Sequence, residues 1–203
     1  AEEGGGQQGT EVVADAQKLR NQLVTGKWLH ANAVYGFWPA NSSGDDIILY
    51  TDESRTVELT RFHTLRQQWE RKGTSEYFAL SDFIAPVESG RADYLGAFAV
   101  TAGVGVDELV KKFKAELDDT RAINTSALAD RLAEAFAEYV HKKARDDWGF
   151  GRTENLNTDE LIAEKYRGIR PAHGYPACPD HTEKPALFKQ LDAEKNAGIT
   201  PTE

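Results

Sequence analysis

Apolar residues recur every three or four positions near the start of the chain, the spacing that one face of an amphipathic helix requires. In the run 11–26 these positions are Val12, Ala16, Leu19 and Leu23. We predict a helix from Glu11 to about Gly26, since glycine commonly follows the last turn of a helix. The stretch 1–10 contains three consecutive glycines, and we interpret it as a flexible lead-in or a remnant of cloning.

β-Branched and aromatic residues dominate the next part of the chain, where the period changes to that of strands. AVYGFWPA (33–40) predicts a strand, and IILYTDESRTVELTRF (47–62) predicts a hairpin that turns at TDESR. TLRQQWERKG (64–73) predicts a short helix closed by Gly73. YFALSDFIAP (77–86) and DYLGAFAVTAG (93–103) predict two further strands.

Helical spacing returns in the second half of the chain. The segment 106–119 has one apolar face, made of Val106, Leu109, Val110, Phe113 and Leu117. The segment 126–148 has another, made of Leu128, Leu132, Phe136 and Tyr139. A short helix is predicted in 154–168, capped by Asn157 or Thr158 and ended by Gly168. Because strands precede the long helices, we predict a single α+β domain over residues 11–203.

The charge and composition narrow the classes of function. A formal net charge of -9 argues against a nucleic-acid surface, which needs clustered Lys and Arg, although it would suit a cationic ligand. No apolar run is long enough for a membrane-spanning helix, and no leader or cysteine pair indicates export. We therefore expect a cytoplasmic protein without nucleic-acid or membrane partners.

The stretch RPAHGYPACPDHTEK (170–184) has the composition of a stiff loop that binds a ligand. Its three prolines restrict the backbone, and Gly174 permits a left-handed turn or a close approach to a ligand. Arg170 can bind a carboxylate through two hydrogen bonds, and Tyr175 offers a flat face and a hydroxyl. Such a loop can hold an amino-acid or nucleoside ligand. The alternative is a connector shaped by its prolines, which is the commoner outcome for these residue types.

The same loop contains residues that suggest metal or thiol chemistry, namely His173, Cys178, Asp180 and His181. Zinc takes Cys and His ligands, but a single Cys-x-x-His pair without a second pair is a poor zinc pattern. A cysteine nucleophile needs a convergent base and an electropositive setting, which the sequence does not indicate. We predict neither a metal site nor a catalytic residue in this chain.

Acidic residues recur at every fourth position of the segment 126–148, at Asp130, Glu134 and Glu138. Their carboxylates share one stripe of a helix, which can bind a positive group. The alternative, commoner for any single carboxylate, is a solvated face neutralised by basic neighbours. Those neighbours are Arg131, Lys142 and Lys143. The Gly-x-Gly stretches at 103–105 and 149–151 are too short for a phosphate-binding loop.

Four long segments, in the same order, resemble the C-terminal reactivation domain of cobalamin-dependent methionine synthase. They are YGFWPANSSGDDIILYTDE, SDFIAPVESGRADYLGAFAVTAG, LADRLAEAFAEYVHKKARDDWGF and RPAHGYPACPDHTEK. The last of them carries the Arg-x-x-x-Gly-Tyr-Pro pattern of that family intact. The resemblance covers nearly everything from Glu11 onward.

The resemblance implies a helmet-shaped α+β fold, with a twisted antiparallel sheet flanked by helices and S-adenosylmethionine bound in a shallow groove. It implies a part of an enzyme, 5-methyltetrahydrofolate–homocysteine methyltransferase, that presents S-adenosylmethionine as methyl donor for the reductive methylation of cob(II)alamin. The implied partners are the cobalamin-binding domain of the same enzyme and a flavodoxin-type electron donor. Zinc belongs to another module of that enzyme.

The resemblance also assigns roles to six residues. Arg170 should hold the carboxylate of S-adenosylmethionine, and the backbone around Ala172 and Gly174 should meet its adenine and ribose. Tyr175 should lie at the edge that faces cobalamin. Glu134 matches an acid near the amino group of the ligand. Asp130 matches a residue that meets the histidine released from cobalt on the cobalamin domain.

Parts of the family pattern are not found in this sequence. The family domain normally begins earlier, with a Trp-Thr-Pro segment, and continues past the position of Glu203 with an aromatic-rich strand region. The Asp-x-His-x-x-Gly motif that binds cobalamin is also missing. We therefore expect an incomplete domain that does not turn over alone. The alternative function is a non-catalytic module that caps or docks the cobalamin domain or flavodoxin without useful binding of S-adenosylmethionine.

Overall fold

The computed structural model describes residues 3–70, 73 and 75–201. Its first elements are α1 (Glu3–Gly26), β1 (His30–Ser43), β2 (Asp46–Tyr50), β3 (Glu58–His63) and β4 (Asp93–Val104). The helices that follow are α2 (Val106–Ala115), α3 (Asp119–Trp148), α4 (Gly151–Glu154), α5 (Thr158–Ile162), α6 (Lys184–Leu191) and α7 (Ala193–Ala197). Nowhere in the described residues is a helix both long and apolar enough to cross a membrane.

The four strands form one sheet in the order β3-β2-β1-β4. β1 and β2 are antiparallel neighbours, with Ala40 opposite Leu49, and β2 pairs with β3 so that Ile47 lies opposite Phe62. Gly44, between β1 and β2, adopts a positive φ of 61°, which the tight turn of a hairpin requires. Strands followed by long helices around an antiparallel sheet confirm the predicted α+β class.

The chain divides into two compact units. The first contains Ala1–Ala33 and Val100–Val140, and the second contains Val34–Ala99 and His141–Glu203. The core of the first unit is built from α1, α2 and the start of α3, and its buried members are Leu19, Leu23, Phe113 and Ala122. Leu19 and Leu23 of the predicted α1 face and Phe113 of the predicted α2 face therefore lie in this core, whereas Leu117 lies beyond the end of α2 and is 92% exposed.

The core of the second unit lies between the sheet and the last helices. One cluster contains Ala40, Ile47, Leu49, Phe62 and Ile84, and Leu187 of α6 packs against it. The second cluster joins β4 to α6 and α7 through Ala99, Leu191, Ala193, Ala197 and Ile199. Because α6 directly follows the stretch 170–183, this packing anchors the C-terminal end of that loop.

The start of the chain differs from the prediction. Residues 3–10 are part of α1, although their glycines suggest a flexible lead-in, and residues 1–2 lie outside the described part of the chain. Extending an existing helix fixes one residue for each new hydrogen bond, so it is far easier than starting one. The helix whose buried face carries Leu19 and Leu23 therefore continues toward the N-terminus through a sequence of low helix propensity. The prediction of one domain over 11–203 stays a prediction.

Two predicted elements in the middle of the chain are wrong. Residues 64–70 form no helix, because their polar groups bond to distant parts of the chain: the Gln67 amide donates to the carbonyl of Phe78 at 2.9 Å. Residues 77–86 form no strand but a 3₁₀ turn at Leu80–Phe83, started by the Asp82 carboxylate, which accepts from the Ala79 amide at 2.9 Å. A hydrogen bond to a residue distant in sequence outweighs local propensity in the first stretch, and a side-chain bond within the turn does so in the second.

Candidate functional site

Two consecutive tight turns shape the loop that begins at Arg170. In the first, the Tyr175 amide donates to the carbonyl of Ala172 at 3.2 Å, and Gly174 occupies the third position with a φ of 96°. Only a residue that tolerates positive φ fits there in a type II turn. In the second, the Cys178 amide donates to the Tyr175 carbonyl at 2.9 Å, and Pro176 takes the position that proline favours.

Further hydrogen bonds close this double turn on itself. The Gly174 amide donates to the Cys178 carbonyl at 2.8 Å. Nδ1 of His173 lies 2.8 Å from the carbonyl oxygen of Asp180, and it must carry a hydrogen because a carbonyl only accepts. The Asp180 carboxylate in turn accepts from the backbone and the hydroxyl of Thr182, just before α6 begins. The expectation of a stiff loop agrees with this network.

Gly174→Ala is expected to lower the free energy of unfolding by about 1 to 2 kcal/mol, because an L-residue is strained at the φ of this position. A Cβ there would also lie 2.7 Å from Nε2 of His181, so that ring must move and the first turn must deform. Urea unfolding measures the first effect. Gly168→Ala is the control for strain alone, since Gly168 has a φ of 88° with no atom within 4 Å of the added carbon, and it should lose less stability than Gly174→Ala. Equal stability of wild type and Gly174→Ala would contradict the placement of Gly174 at a turn position that requires a positive φ.

Arg170 and Tyr175 have different surroundings within the second unit. Arg170 is half-buried, and its guanidinium carbon lies 6.0 Å from the ring centroid of Phe98 on β4. Tyr175 is 63% exposed. The loop therefore places one cationic group against the sheet and one aromatic ring in solvent.

A buried histidine lies beside this part of the sheet. His141 is 9% exposed, stacks on Phe98 with centroids 6.3 Å apart, and receives the edge of Tyr166 at 4.7 Å. Its Nδ1 has no hydrogen-bond partner among the described residues. Burial, with the nearby positive charges of Arg170 and Arg145, lowers the pKa of His141 to about 4, although Glu154 opposes the shift. The ring is therefore neutral at neutral pH.

The acidic stripe lies on α3 in the first unit. Asp130 and Glu134 are exposed, and Glu134 pairs with Arg131 at 3.1 Å, while Glu138 is half-buried. The two lysines offered as neutralising partners bind other acids: Lys142 pairs with Asp146 and Lys143 with Asp147. Asp130 and Glu134 thus share one helix, whereas Arg170, Ala172, Gly174 and Tyr175 share one loop of the second unit.

The geometry of the loop does not support thiol or metal chemistry. Sγ of Cys178 lies 3.6 Å from Nδ1 of His173, but burial and then the charge of Asp180 raise the pKa of this thiol. A nucleophilic cysteine needs the opposite shift. Among residues 3–70, 73 and 75–201, no group of three or more His, Cys, Asp and Glu side chains is placed to hold a metal ion.

The sequence matches, over residues 1–203, the family model of the activation domain of vitamin B12 dependent methionine synthase. The chain belongs to this family. A crystal structure of the MetH reactivation domain bound to AdoHcy is similar to this activation domain, with a TM-score of 0.88 and 49% sequence identity. The match covers 98% of this chain and 61% of that one, so the chain spans about three fifths of the length of its neighbour.

The family model thus confirms the resemblance that the four segments carry, and the fold confirms the predicted α+β class. The roles of Asp130, Glu134, Arg170, Ala172, Gly174 and Tyr175 stay predictions. The sequence did not single out the buried groups beside the loop, His141, Arg145 and Glu154. The Gly-x-Gly of 149–151 was the one available indication, because a Cβ on Gly151 would lie 2.5 Å from the carbonyl carbon of Arg145. That close approach is visible only in the folded chain.

Proposed function

We propose that this activation domain binds S-adenosylmethionine through the loop 170–184 and presents its methyl group for the reductive methylation of cob(II)alamin in methionine synthase. One observation carries the proposal: the self-bonded double turn holds Arg170 and Tyr175 on a chain that is 49% identical to a reactivation domain bound to AdoHcy. AdoHcy is S-adenosylmethionine without its transferable methyl group. The two molecules present the same nucleoside, amino group and carboxylate to a site.

The proposed roles follow from the chemistry of each group. Arg170 donates two hydrogen bonds to the ligand carboxylate, which the planar guanidinium matches in geometry. The backbone of Ala172 and Gly174 contacts the nucleoside, because a residue without a Cβ permits close approach. Glu134 accepts from the ligand amino group. Tyr175 and Asp130 face the cobalamin-binding domain.

The chain contributes to methyl transfer by positioning. The neighbouring domain would hold cobalamin, and with an electron from a flavodoxin-type partner the reduced cobalt would supply the nucleophile for the methyl group. The sulfonium of S-adenosylmethionine already makes the methyl group reactive, so the loop needs no acid or base of its own. Its task is to hold the ligand at one distance and angle, and a misplacement of about 1 Å can cost on the order of a hundredfold in rate.

Isothermal titration of S-adenosylmethionine and AdoHcy into the 203-residue chain tests the proposal. Arg170→Ala is expected to weaken both ligands about ten- to a hundredfold, because a charge-assisted hydrogen-bond pair is lost. Arg167→Ala is the matched control, since the hydrogen bonds of Arg167 to Arg145 and Glu154 are made by its backbone atoms and its side chain is exposed. Circular dichroism should show that both variants are folded.

Two outcomes would contradict the proposal. A folded wild type that binds neither ligand would favour the alternative, a non-catalytic module that caps or docks the cobalamin domain or flavodoxin. If Arg170→Ala bound the ligands as tightly as wild type, Arg170 would not be part of the binding site, although the chain would still bind the ligands.

A further inference from the structure

The C-terminal end of α3 carries a buried ion pair that no assigned role explains. Arg145 is 5% exposed and makes two hydrogen bonds to the carboxylate of Glu154 in α4. Its Nε donates to one carboxylate oxygen at 2.9 Å, and its Nη2 donates to the other. The turn between the helices uses Gly149, with a φ of 116°, and Gly151, which lies against the backbone of Arg145. We call this pair the Arg145–Glu154 latch.

The latch binds both backbone groups of one residue near the loop. Nη1 of Arg145 donates to the carbonyl of Arg167 at 2.9 Å, and the Arg167 amide donates to the Glu154 carboxylate at 3.1 Å. Arg167 stands three residues before Arg170, separated from it by Gly168 and Ile169. The chain therefore enters the loop from a point fixed by two charge-assisted hydrogen bonds, which are stronger than neutral ones.

Aromatic rings provide a second connection between the latch and Arg170. The guanidinium carbon of Arg145 lies 4.6 Å from the centroid of Tyr166, whose edge meets His141 at 4.7 Å. His141 stacks on Phe98, and Phe98 lies under the guanidinium of Arg170. Close packing leaves such a column few alternative arrangements. The backbone contacts and the column of rings thus both connect the Arg145–Glu154 latch to Arg170.

We propose that the Arg145–Glu154 latch is a positioning device for S-adenosylmethionine, which aims Arg170 at the amino-acid carboxylate of the ligand. This inference rests on the proposed function. A free arginine side chain has many rotamers, and ordering it on binding reduces affinity. The latch orders the chain before the ligand arrives. It acts through Arg170 only, so it affects the amino-acid end of the ligand and not the nucleoside.

Arg145→Lys tests the latch with its charge retained, because lysine cannot make the fork and also reach the Arg167 carbonyl. The variant is expected to weaken S-adenosylmethionine about tenfold and to leave the affinity for 5′-methylthioadenosine, which lacks the amino-acid end, unchanged. In an Arg170→Ala background, Arg145→Lys should have no further effect. Without ligand, amide hydrogen exchange over residues 167–170 should become faster.

Arg61→Lys is the matched control, since Arg61 makes a similar fork with Glu58 on the surface of β3. It should alter neither ligand affinity nor exchange at 167–170. Equal weakening of both ligands by Arg145→Lys, additive losses with Arg170→Ala, or unchanged exchange would each overturn the inference and leave the proposed function standing. A folded wild type that does not bind S-adenosylmethionine would overturn both.

Discussion

Glu154→Ala is expected to lower the free energy of unfolding by about 3 kcal/mol, because it leaves the Arg145 guanidinium buried without its carboxylate. Removing one partner of a buried pair costs more than the pair contributes, since the remaining charge has lost its water as well. Burial would raise the pKa of Glu154, but the bonds from Arg145 and the Arg167 amide outweigh it and hold that pKa below its ordinary value. The carboxylate is therefore charged at neutral pH. Urea unfolding followed by circular dichroism measures the loss.

Glu58→Ala is the control for this result. Glu58 accepts two hydrogen bonds from Arg61, as Glu154 does from Arg145, but its side chain is 42% exposed where that of Glu154 is 17% exposed. Solvent can replace the lost carboxylate at Arg61, so little change in stability is expected. If the two alanine variants were equally stable, the Arg145–Glu154 latch would be an ordinary surface pair.

Acidification is expected to destabilise the protein by about 2 kcal/mol between about pH 7 and about pH 4.5 through His141 alone. The pKa of this histidine falls from 6.5 to about 4 on folding, so the unfolded chain binds a proton that the folded chain does not. The contribution of His141 to the free energy of unfolding is therefore largest above pH 6.5 and decreases as the pH falls toward 4. The physical cause is the burial of the ring, and the charges of Arg170 and Arg145 add to it.

His141→Gln should flatten this part of the stability profile, because a neutral amide takes up no proton in the window. Urea unfolding at several pH values provides the profile. His30→Gln is the control, since His30 is exposed at the start of β1 and its replacement should leave the slope unchanged. The same slope in wild type and His141→Gln would show that other groups cause the acid sensitivity.

The candidate loop shows how far sequence reasoning reaches. Three prolines and Gly174 predict a stiff segment, and Pro176 and Gly174 occupy the turn positions that their restricted or permissive φ favours. Arg170 and Tyr175 were selected by chemistry and by resemblance. The sequence could not predict the Arg145–Glu154 latch, because both residues occupy a polar stretch in which their spacing does not distinguish them from surface residues.

The resemblance of four segments identified the family. Local pattern determined the α+β class, the hairpin, and the apolar faces of α1 and α2, because each of these depends on a period that neighbouring residues carry. Local pattern failed at 64–70 and 77–86, where hydrogen bonds from Gln67 to Phe78, from Ser42 to Ile84 and within the turn at Asp82 replaced the helix and the strand that local propensity favours. It also missed the burial of His141, Arg145 and Glu154. The free energy of those groups depends on which partners and how much water surround them, and only the tertiary structure sets both.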